Sequence, residues 1–517
     1  MIEPRLSAPK RFVRALGVPL LLGAFAFSAT GVVPASASPR IEAAVAGKPS
    51  GSDSRYPRVP TISDAVTGGS RTGAHWHALG PDIVSKYGYT ETEYFASGTA
   101  SNLGRDWSGI AANPGSATPQ TADYKTSVVV LRPADPRDFN GRTIVEWANA
   151  SATFDLHLVT TTAHRHLMEQ GYAVVTVTAQ PISIDSPVGL KAWDPVRYGS
   201  LKHPGEQFNQ DIFGQIAASV KQDPKSAQKL LGGLKTKTLV GFGSSQSCVW
   251  LVPFTNVVQA AHPVFDSMLL IVCNAVGLNT SVVKTLLVTG EDERSPSGPG
   301  PRGESPPPTK SFRTWQMAGA AHVDRENSSL IERNIARDQT AGNTGTWPST
   351  VPFDYETNYQ YGELLPPSSP GTCGRSFYPQ RFAFAAGMEA VSAWVRGGAA
   401  PKDRRLKLVA PGGPLARDAF GNAIGGFRSP VVDVPIATYT GDVCGGITTP
   451  FDSARIAKLY PSHSAYVKKM QKATTRAVAK RQMTMSDGCQ LMTRAVRSSI
   501  GGNDVYKRPI PECKRRR

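Results

Sequence analysis

The sequence has few acidic residues for its length. Its 517 residues include 40 aspartates and glutamates against 57 lysines and arginines, which gives a formal net charge of +17. Such a balance is typical of proteins that meet nucleic acid, an anionic wall polymer or an acidic substrate. The cations cluster near the C-terminus without an aromatic-rich basic module, so we expect no nucleic-acid binding. The charge instead predicts loose attraction to an anionic cell surface.

Long apolar runs are also scarce. The longest, residues 15–33, follows four basic residues and ends near the small residues Ala35-Ser36-Ala37. A basic start, an apolar run and a small-x-small cleavage site predict a secretory signal peptide over residues 1–37 and a secreted protein. An uncleaved membrane anchor is the alternative interpretation. Because no later stretch is long and apolar enough to span a bilayer, we expect no transmembrane segment after cleavage.

Two kinds of cofactor site are missing from the sequence. The close histidine pairs at 75–77 and 164–166 have no cysteine or carboxylate at ligand spacing, so we expect no metal site. A dinucleotide fingerprint would begin at Gly241 and Gly243, but Gln246 stands where its third glycine belongs. No acidic residue follows about 20 positions later at a strand end. We therefore expect no cofactor.

A serine stands at a predicted strand-to-helix turn. Ser245 follows an apolar run that ends at Gly243, and a helical run begins near Cys248. Small neighbours permit the strained turn of a nucleophile elbow, and the helix N-terminus favours developing negative charge. Ser247 takes the place of the usual second glycine. The pattern predicts Ser245 as a nucleophile.

An acidic cluster and a histidine follow in chain order. Residues 282–293 are predicted to form a strand that ends in a glycine and the acidic cluster Glu291, Asp292 and Glu293, and residues 312–324 a strand that ends in small residues and His322. Serine, acid and histidine at successive strand ends is the order of an α/β-hydrolase. An imidazole activates the serine, and a carboxylate fixes the tautomer of the imidazole. A solvated acidic cluster and a turn histidine are the alternative interpretations.

The strand pattern predicts the fold class. Residues 126–131, 142–147 and 173–177 read as buried strands, and residues 162–171 between the last two read as a helix. This alternation predicts an α/β fold, with a mostly parallel central sheet and helices on both faces.

A family resemblance is carried by five longer stretches, residues 145–151, 171–180, 190–201, 421–430 and 435–441. The chain resembles a secreted α/β-hydrolase domain family with a G-x-S-Q-S elbow and a long C-terminal segment, which implies that fold and a serine-hydrolase mechanism. It departs from the family at Ala152 and Thr153, where members have two glycines, and at Cys248.

The resemblance implies roles for individual residues. Ser245 is the nucleophile, His322 the base, and Asp292 the acid, since it ends a Thr-x-x-Asp run that begins at Thr289. Glu291 stays an alternative acid.

An oxyanion hole needs two backbone donors, one after the nucleophile and one from an earlier loop. We expect Gln246 to supply the first, and Asn149, Ala150 or Ser151 to supply the second. Capping of the next turn is an equal alternative for Asn149 and Ser151.

Six cysteines suit an oxidising compartment and allow fifteen pairings. We predict a bridge between Cys248 and Cys273, because the turn after the elbow lies beside the end of the next strand. Order along the chain suggests that the remaining two pairs are Cys373 with Cys444 and Cys489 with Cys513. The six candidates are Cys248, Cys273, Cys373, Cys444, Cys489 and Cys513.

The chain divides into four predicted regions. A signal peptide over 1–37 precedes a polar leader over 38–60, which we expect to be poorly ordered. The hydrolase core spans 61–400, and a C-terminal segment with a basic tail, 401–517, packs on it. Insertions near 293–310 and 325–378 form either a lid over the site or surface decoration.

These observations predict a carboxylic ester hydrolase that works through an acyl-enzyme on a small-molecule or polymeric ester. An acyltransferase or peptidase would use the same residues. A binding protein on a catalytically retired hydrolase scaffold is the alternative from another class.

Overall fold

A nine-stranded sheet forms the centre of the protein in a computed structural model, which describes residues 56–71, 74–102, 120–294, 304–340, 376–443 and 445–502. The last two strands of the chain form a separate hairpin. The strands are β1 Thr61–Ile62, β2 Tyr89–Ser101, β3 Thr121–Pro133, β4 Arg142–Trp147, β5 Ala173–Val177, β6 Thr238–Ser244, β7 Ser267–Ile271, β8 Lys284–Thr289, β9 Phe312–Gln316, β10 Ala437–Thr440 and β11 Ile447–Pro450.

Strand order in the sheet is β1-β2-β3-β5-β4-β6-β7-β8-β9. The last six strands in that order run parallel to one another, and β1 to β3 add an antiparallel edge. The carboxyl ends of the parallel strands therefore meet at one edge, where ligands of open α/β sheets bind. The predicted fold class is confirmed.

Helices cover the sheet on both faces, as the sequence predicts. The α-helices are α1 Pro81–Val84, α2 Leu158–Glu169, α3 Pro181–Asp185, α4 Leu190–Trp193, α5 Pro195–Tyr198, α6 Asn209–Gln222, α7 Pro224–Leu231, α8 Gln246–Pro253, α9 Arg325–Thr340, α10 Arg381–Val395, α11 Pro430–Asp433, α12 Ser453–Leu459, α13 His463–Ala479 and α14 Met485–Arg497. No helix among the described residues is long and apolar enough to cross a bilayer.

The two faces of the sheet bury separate cores, because successive strand residues point to opposite faces. On β4, Ile144 joins the core under α2 and α10, whereas Val145 and Trp147 join the core under α6 and α8. The C-terminal segment contributes Phe427, Tyr439 and other apolar side chains to the first of these cores. It packs on the sheet through shared apolar residues.

Several predicted features lie wholly or partly outside the described residues. These are the signal peptide and most of the leader, the first insertion except its ends, the second insertion after α9 as far as residue 375, the basic tail, and Cys373, Cys444 and Cys513.

Candidate functional site

The proposed nucleophile lies at a strained turn between β6 and α8. Ser245 has φ 56° and ψ −119°, a region that non-glycine residues rarely adopt, and its N–H donates to Ile271 O on β7 at 3.0 Å. Gly243 leaves room for the turn, since a Cβ there would lie 2.9 Å from Ser247 O. The turn presents the Ser245 side chain at the carboxyl edge of the sheet.

The Ser247 side chain forms hydrogen bonds within this elbow that a glycine at the same position could not form. Its Oγ accepts from the Ser244 N–H at 2.9 Å and donates to Ser244 O at 3.0 Å, and its side chain is fully buried. The buried hydroxyl therefore binds both backbone polar groups of Ser244 and stabilises the turn. This explains how a serine replaces glycine without opening the elbow.

The structure brings His322 to the serine. His322 follows β9, and its Nε2 lies 2.7 Å from Ser245 Oγ. This is hydrogen-bond distance for proton transfer from the hydroxyl to the imidazole.

Glu293, rather than Asp292 or Glu291, lies against the other ring nitrogen. Its Oε1 is 2.7 Å from His322 Nδ1, which corrects the position that the sequence assigns to Asp292. The reason is the short 3-10 turn Asp292–Arg294, in which successive side chains point about 120° apart. Asp292 and Glu293 therefore point in different directions, and the Glu293 carboxylate is the one that contacts the ring.

The two neighbouring acids have other partners. Asp292 Oδ2 accepts the backbone N–H of His322 at 2.5 Å and so fixes the loop that carries the histidine. Glu291 accepts from the backbone N–H groups of Gly319 at 2.6 Å and Gly441 at 3.0 Å, and from Arg417 at 3.0 Å. Glu291 ties the end of β8 to the C-terminal segment.

The surroundings of the two adjacent carboxyls, Asp292 and Glu293, shift their pKa values in opposite directions. Burial and the neighbouring Glu293 raise the pKa of Asp292 well above its ordinary value. Burial would also raise the pKa of Glu293, but the hydrogen bond and charge of His322 and the hydrogen bond from Thr289 lower it below the ordinary value. The opposite directions of the two pKa shifts favour the ionised form at Glu293 and the neutral form at Asp292.

Sequence reasoning missed Glu293 as the partner of His322. Its one sequence signal is its place as the last acid of the cluster after β8. The acceptor role becomes visible only in three dimensions, where Thr289 Oγ1 donates to Glu293 Oε2 at 2.8 Å and the Gly290 N–H donates to the same oxygen.

The predicted oxyanion residues lie together beside the elbow. Gln246 is the first residue of α8, so its N–H has no partner within the helix. The Asn149 N–H donates to Leu156 O at 3.1 Å, and the Ser151 N–H donates to Asn149 Oδ1 at 3.0 Å. The Ala150 N–H has a weaker hydrogen bond, 3.3 Å to Gln246 Oε1. Ala150 is therefore the loop residue whose amide is most available.

The Asn149 side chain joins the loop to the elbow. Its Nδ2 donates to Ser244 O at 2.9 Å, and its Oδ1 also accepts from Ser151 Oγ at 2.6 Å. The residue is buried. The hydrogen bonds from Ser151 to Asn149 Oδ1 are of the kind that the capping alternative predicts for this turn.

The cysteine prediction can be compared with the structure at two places. The predicted disulfide between Cys248 and Cys273 is present and links α8 to the segment after β7. Cys489 is also disulfide-bonded.

Among the described residues, one group has His and carboxylate ligand atoms close enough to hold a metal ion, and it is Asp292, Glu293 and His322. Both ring nitrogens of His322 already face Ser245 and Glu293.

A family model described as an alpha/beta hydrolase domain matches residues 57–493. The chain belongs to this α/β-hydrolase family. No curated protein sequence matches the chain.

Solved structures of α/β-hydrolases are similar to this family member at low identity. An α/β serine hydrolase without a lid from Xanthomonas campestris shares 15% identity, with 55% of this chain and 93% of that chain covered and a TM-score of 0.24. A serine hydrolase homologue from Coxiella burnetii shares 14%, with 41% and 89% covered and a TM-score of 0.24. The rice cell wall degrading esterase LipA from Xanthomonas oryzae shares 14%, with 41% and 49% covered and a TM-score of 0.24. At these scores the likenesses add no argument to the family match.

Proposed function

We propose that the protein is a secreted carboxylic ester hydrolase in which Ser245, His322 and Glu293 form the catalytic triad. The observation that carries the proposal is the continuous hydrogen-bonded chain from Ser245 Oγ through the His322 ring to Glu293, with both distances 2.7 Å. A strained elbow at the end of a parallel strand holds the serine at its start. These are the parts that activate a serine hydroxyl.

The proposed reaction has two halves. Ser245 Oγ attacks the ester carbonyl carbon while His322 Nε2 takes the hydroxyl proton, and the tetrahedral intermediate then loses the alcohol, which receives that proton from His322. Water attacks the acyl-enzyme next, with His322 as base, and the acid leaves as Ser245 regains its proton. Glu293 holds the ring in the tautomer that presents Nε2 to Ser245 and stabilises the imidazolium.

We assign the oxyanion hole to the backbone N–H groups of Gln246 and Ala150. The Gln246 amide is at the positive end of α8, and the Ala150 amide donates only to the Gln246 side chain. In this proposal the oxyanion replaces Gln246 Oε1 at the Ala150 N–H. Asn149 is a positioning residue, because its side chain fixes the loop that carries Ala150 against Ser244.

Export is the second part of the proposal. The signal-like N-terminus supports it, and so does the Cys248–Cys273 disulfide, because disulfides persist in oxidising compartments.

A substrate panel tests the ester assignment. Purified protein is given p-nitrophenyl acyl esters of increasing chain length, the matched p-nitroanilides, and the esters again with an added alcohol acceptor. We expect ester hydrolysis that disappears in Ser245→Ala. Faster anilide cleavage would indicate a peptidase, and acyl transfer to the alcohol ahead of hydrolysis would indicate an acyltransferase.

A further inference from the structure

Residues 453–486 contain eight lysines and arginines and no aspartate or glutamate. The segment includes α12, α13 and the start of α14. Two of its cations have partners: Arg455 lies 4.1 Å from the Phe451 ring centroid, and Lys469 donates to Leu459 O at 2.9 Å. The other six are exposed, and none forms an ion pair with any part of the chain that the structure describes.

Four of these cations follow one another along α13 and its C-cap residue, Lys480. Lys468, Lys472, Arg476 and Lys480 follow one another at intervals of four residues, and we call them the basic stripe. A spacing of four residues corresponds to a rise of about 6 Å, so the basic stripe is roughly 18 Å long. The opposite face of α13 buries residues that include Tyr466, Met470 and Ala473 in the core. The helix is therefore fixed with its cations facing solvent.

Repulsion among the cations of the basic stripe destabilises α13. Like charges four residues apart repel one another, and no acidic residue in the segment offsets them. An external anion with several charges would remove this repulsion and release counterions at the same time.

We propose that the basic stripe binds a linear polyanion, an extended polymer that carries phosphate or carboxylate groups and lies along α13. The exposed positions between the cations include Thr475 and Ala479, without an exposed aromatic side chain on which bases could stack. This face of α13 also lacks an exposed large apolar side chain that could enter a bilayer. The chemistry therefore favours a polyanion without nucleobases over a nucleic acid or a membrane. The proposal does not depend on the activity of Ser245.

The test uses the full mature protein and two probes, long-chain inorganic polyphosphate and poly-glutamate, titrated by calorimetry at low and physiological salt. We expect binding to at least one probe that weakens as salt rises. In the variant with Lys468→Gln, Lys472→Gln, Arg476→Gln and Lys480→Gln, affinity falls at least about tenfold and the salt dependence becomes shallower. The probe bound more tightly identifies the anionic group.

A matched variant removes the same charge elsewhere on the surface. It carries glutamine at four exposed lysines outside the segment, Lys202, Lys225, Lys235 and Lys237. Affinity should stay within about twofold of the unmodified protein. An equal loss in both variants would overturn the proposal, because net charge alone would then explain binding.

Two further probes test the class of partner. Tighter binding to single-stranded DNA or to vesicles of anionic phospholipid than to either polymer would also overturn it. Thermal unfolding of both variants verifies that the α13 substitutions leave the fold intact.

Discussion

At the scale of single residues, the account depends on which acid serves His322. Glu293→Gln should lower kcat/KM on an activated ester by roughly 10³–10⁴-fold, because the neutral amide no longer stabilises the imidazolium or selects the tautomer. Asp292→Asn should stay within about tenfold, because the raised pKa of Asp292 favours its neutral form and an amide oxygen can still accept the His322 N–H. Steady-state kinetics on both variants makes the comparison.

The opposite order of effects would return the acid role to Asp292. The two substitutions are matched, since each replaces a carboxyl by an amide of the same size in adjacent buried residues.

Asn149→Ala tests the positioning role. We expect kcat to fall about 10–100-fold with KM nearly unchanged, since a displaced loop weakens transition-state contacts more than substrate binding. Affinity for a boronic acid inhibitor should fall in parallel with kcat/KM.

Ser151→Ala is the control, because it removes only the hydroxyl contact to Asn149 Oδ1 and should change kcat by less than about threefold. A raised KM with normal kcat in Asn149→Ala would instead indicate direct substrate contact.

Glu146 gives a pH dependence with a definite sign. Burial raises its pKa from 4.5 to about 8, although the Val159 N–H and the Thr176 hydroxyl donate to it. The native state therefore keeps a proton that the unfolded chain loses above pH 4.5, and stability is lost as pH rises toward 8. Glu146→Gln should gain stability relative to the unmodified protein over that window, by up to about 1.4 kcal/mol per pH unit.

Urea unfolding of both proteins at several pH values measures this difference. A constant difference across the window would show that Glu146 is ionised in the native state.

The sequence predicts the residue types of the site better than their individual roles. Ser245 and His322 were identifiable because a strand end, a small-residue turn and chain order mark them. Glu293 was not, because the choice among three adjacent acids depends on the direction of each side chain where β8 ends and the 3-10 turn Asp292–Arg294 begins. The role of Asn149 depends on a contact across 95 residues to Ser244, which no local pattern encodes.

At the scale of secondary-structure elements, the disulfide braces the start of α8. It closes a loop across a sequence separation of 25, and a loop of this size corresponds to about 3 kcal/mol of stability. The double variant Cys248→Ala and Cys273→Ala should lose about that much in urea unfolding, with slower activity at elevated temperature. Adding a reductant should affect the variant less than the unmodified protein, and an equal loss in both would assign the effect to another disulfide.

Element positions were predicted where the local pattern is strong. Strands β4 and β5 match their apolar runs in full, because both are buried on both faces. Helix α2 begins at Leu158, four residues before the predicted start, because Glu146 on β4 accepts the Val159 N–H in its first turn. The local sequence of α2 does not indicate this start, because the group that accepts the N–H lies on a different element, β4.

At the scale of the whole molecule, the C-terminal segment is coupled to the site through Glu291. Arg417 bridges Glu291 and Asp442, at 3.0 Å and 2.6 Å. Arg417→Met leaves the fully buried Glu291 without its cation and should cost about 2 kcal/mol, less than for a fully buried pair because Arg417 is partly exposed and Glu291 keeps its backbone donors. The urea midpoint should fall accordingly.

Arg137→Met is the matched control, since Arg137 is 90% exposed in its pair with Asp135. It should leave the midpoint unchanged. If both variants unfold at the same urea concentration as the unmodified protein, Glu291 does not depend on Arg417.

The alternation of predicted strands and helices along the chain predicted the α/β class, because such an alternation admits few arrangements. The packing of the C-terminal segment was expected, but its link through Glu291 was not, since Arg417 lies 126 residues away in the chain.

The measurement that tests the central claim most directly is covalent labelling with a fluorophosphonate, followed by intact mass and peptide mapping, because it requires no knowledge of the natural substrate. We predict one adduct, on Ser245, that is absent in Ser245→Ala and forms far more slowly in Glu293→Gln than in Asp292→Asn. Folded protein that gains no adduct, or gains one on another residue, would contradict the assignment of Ser245, His322 and Glu293 as a working triad and favour a binding protein on a retired hydrolase scaffold.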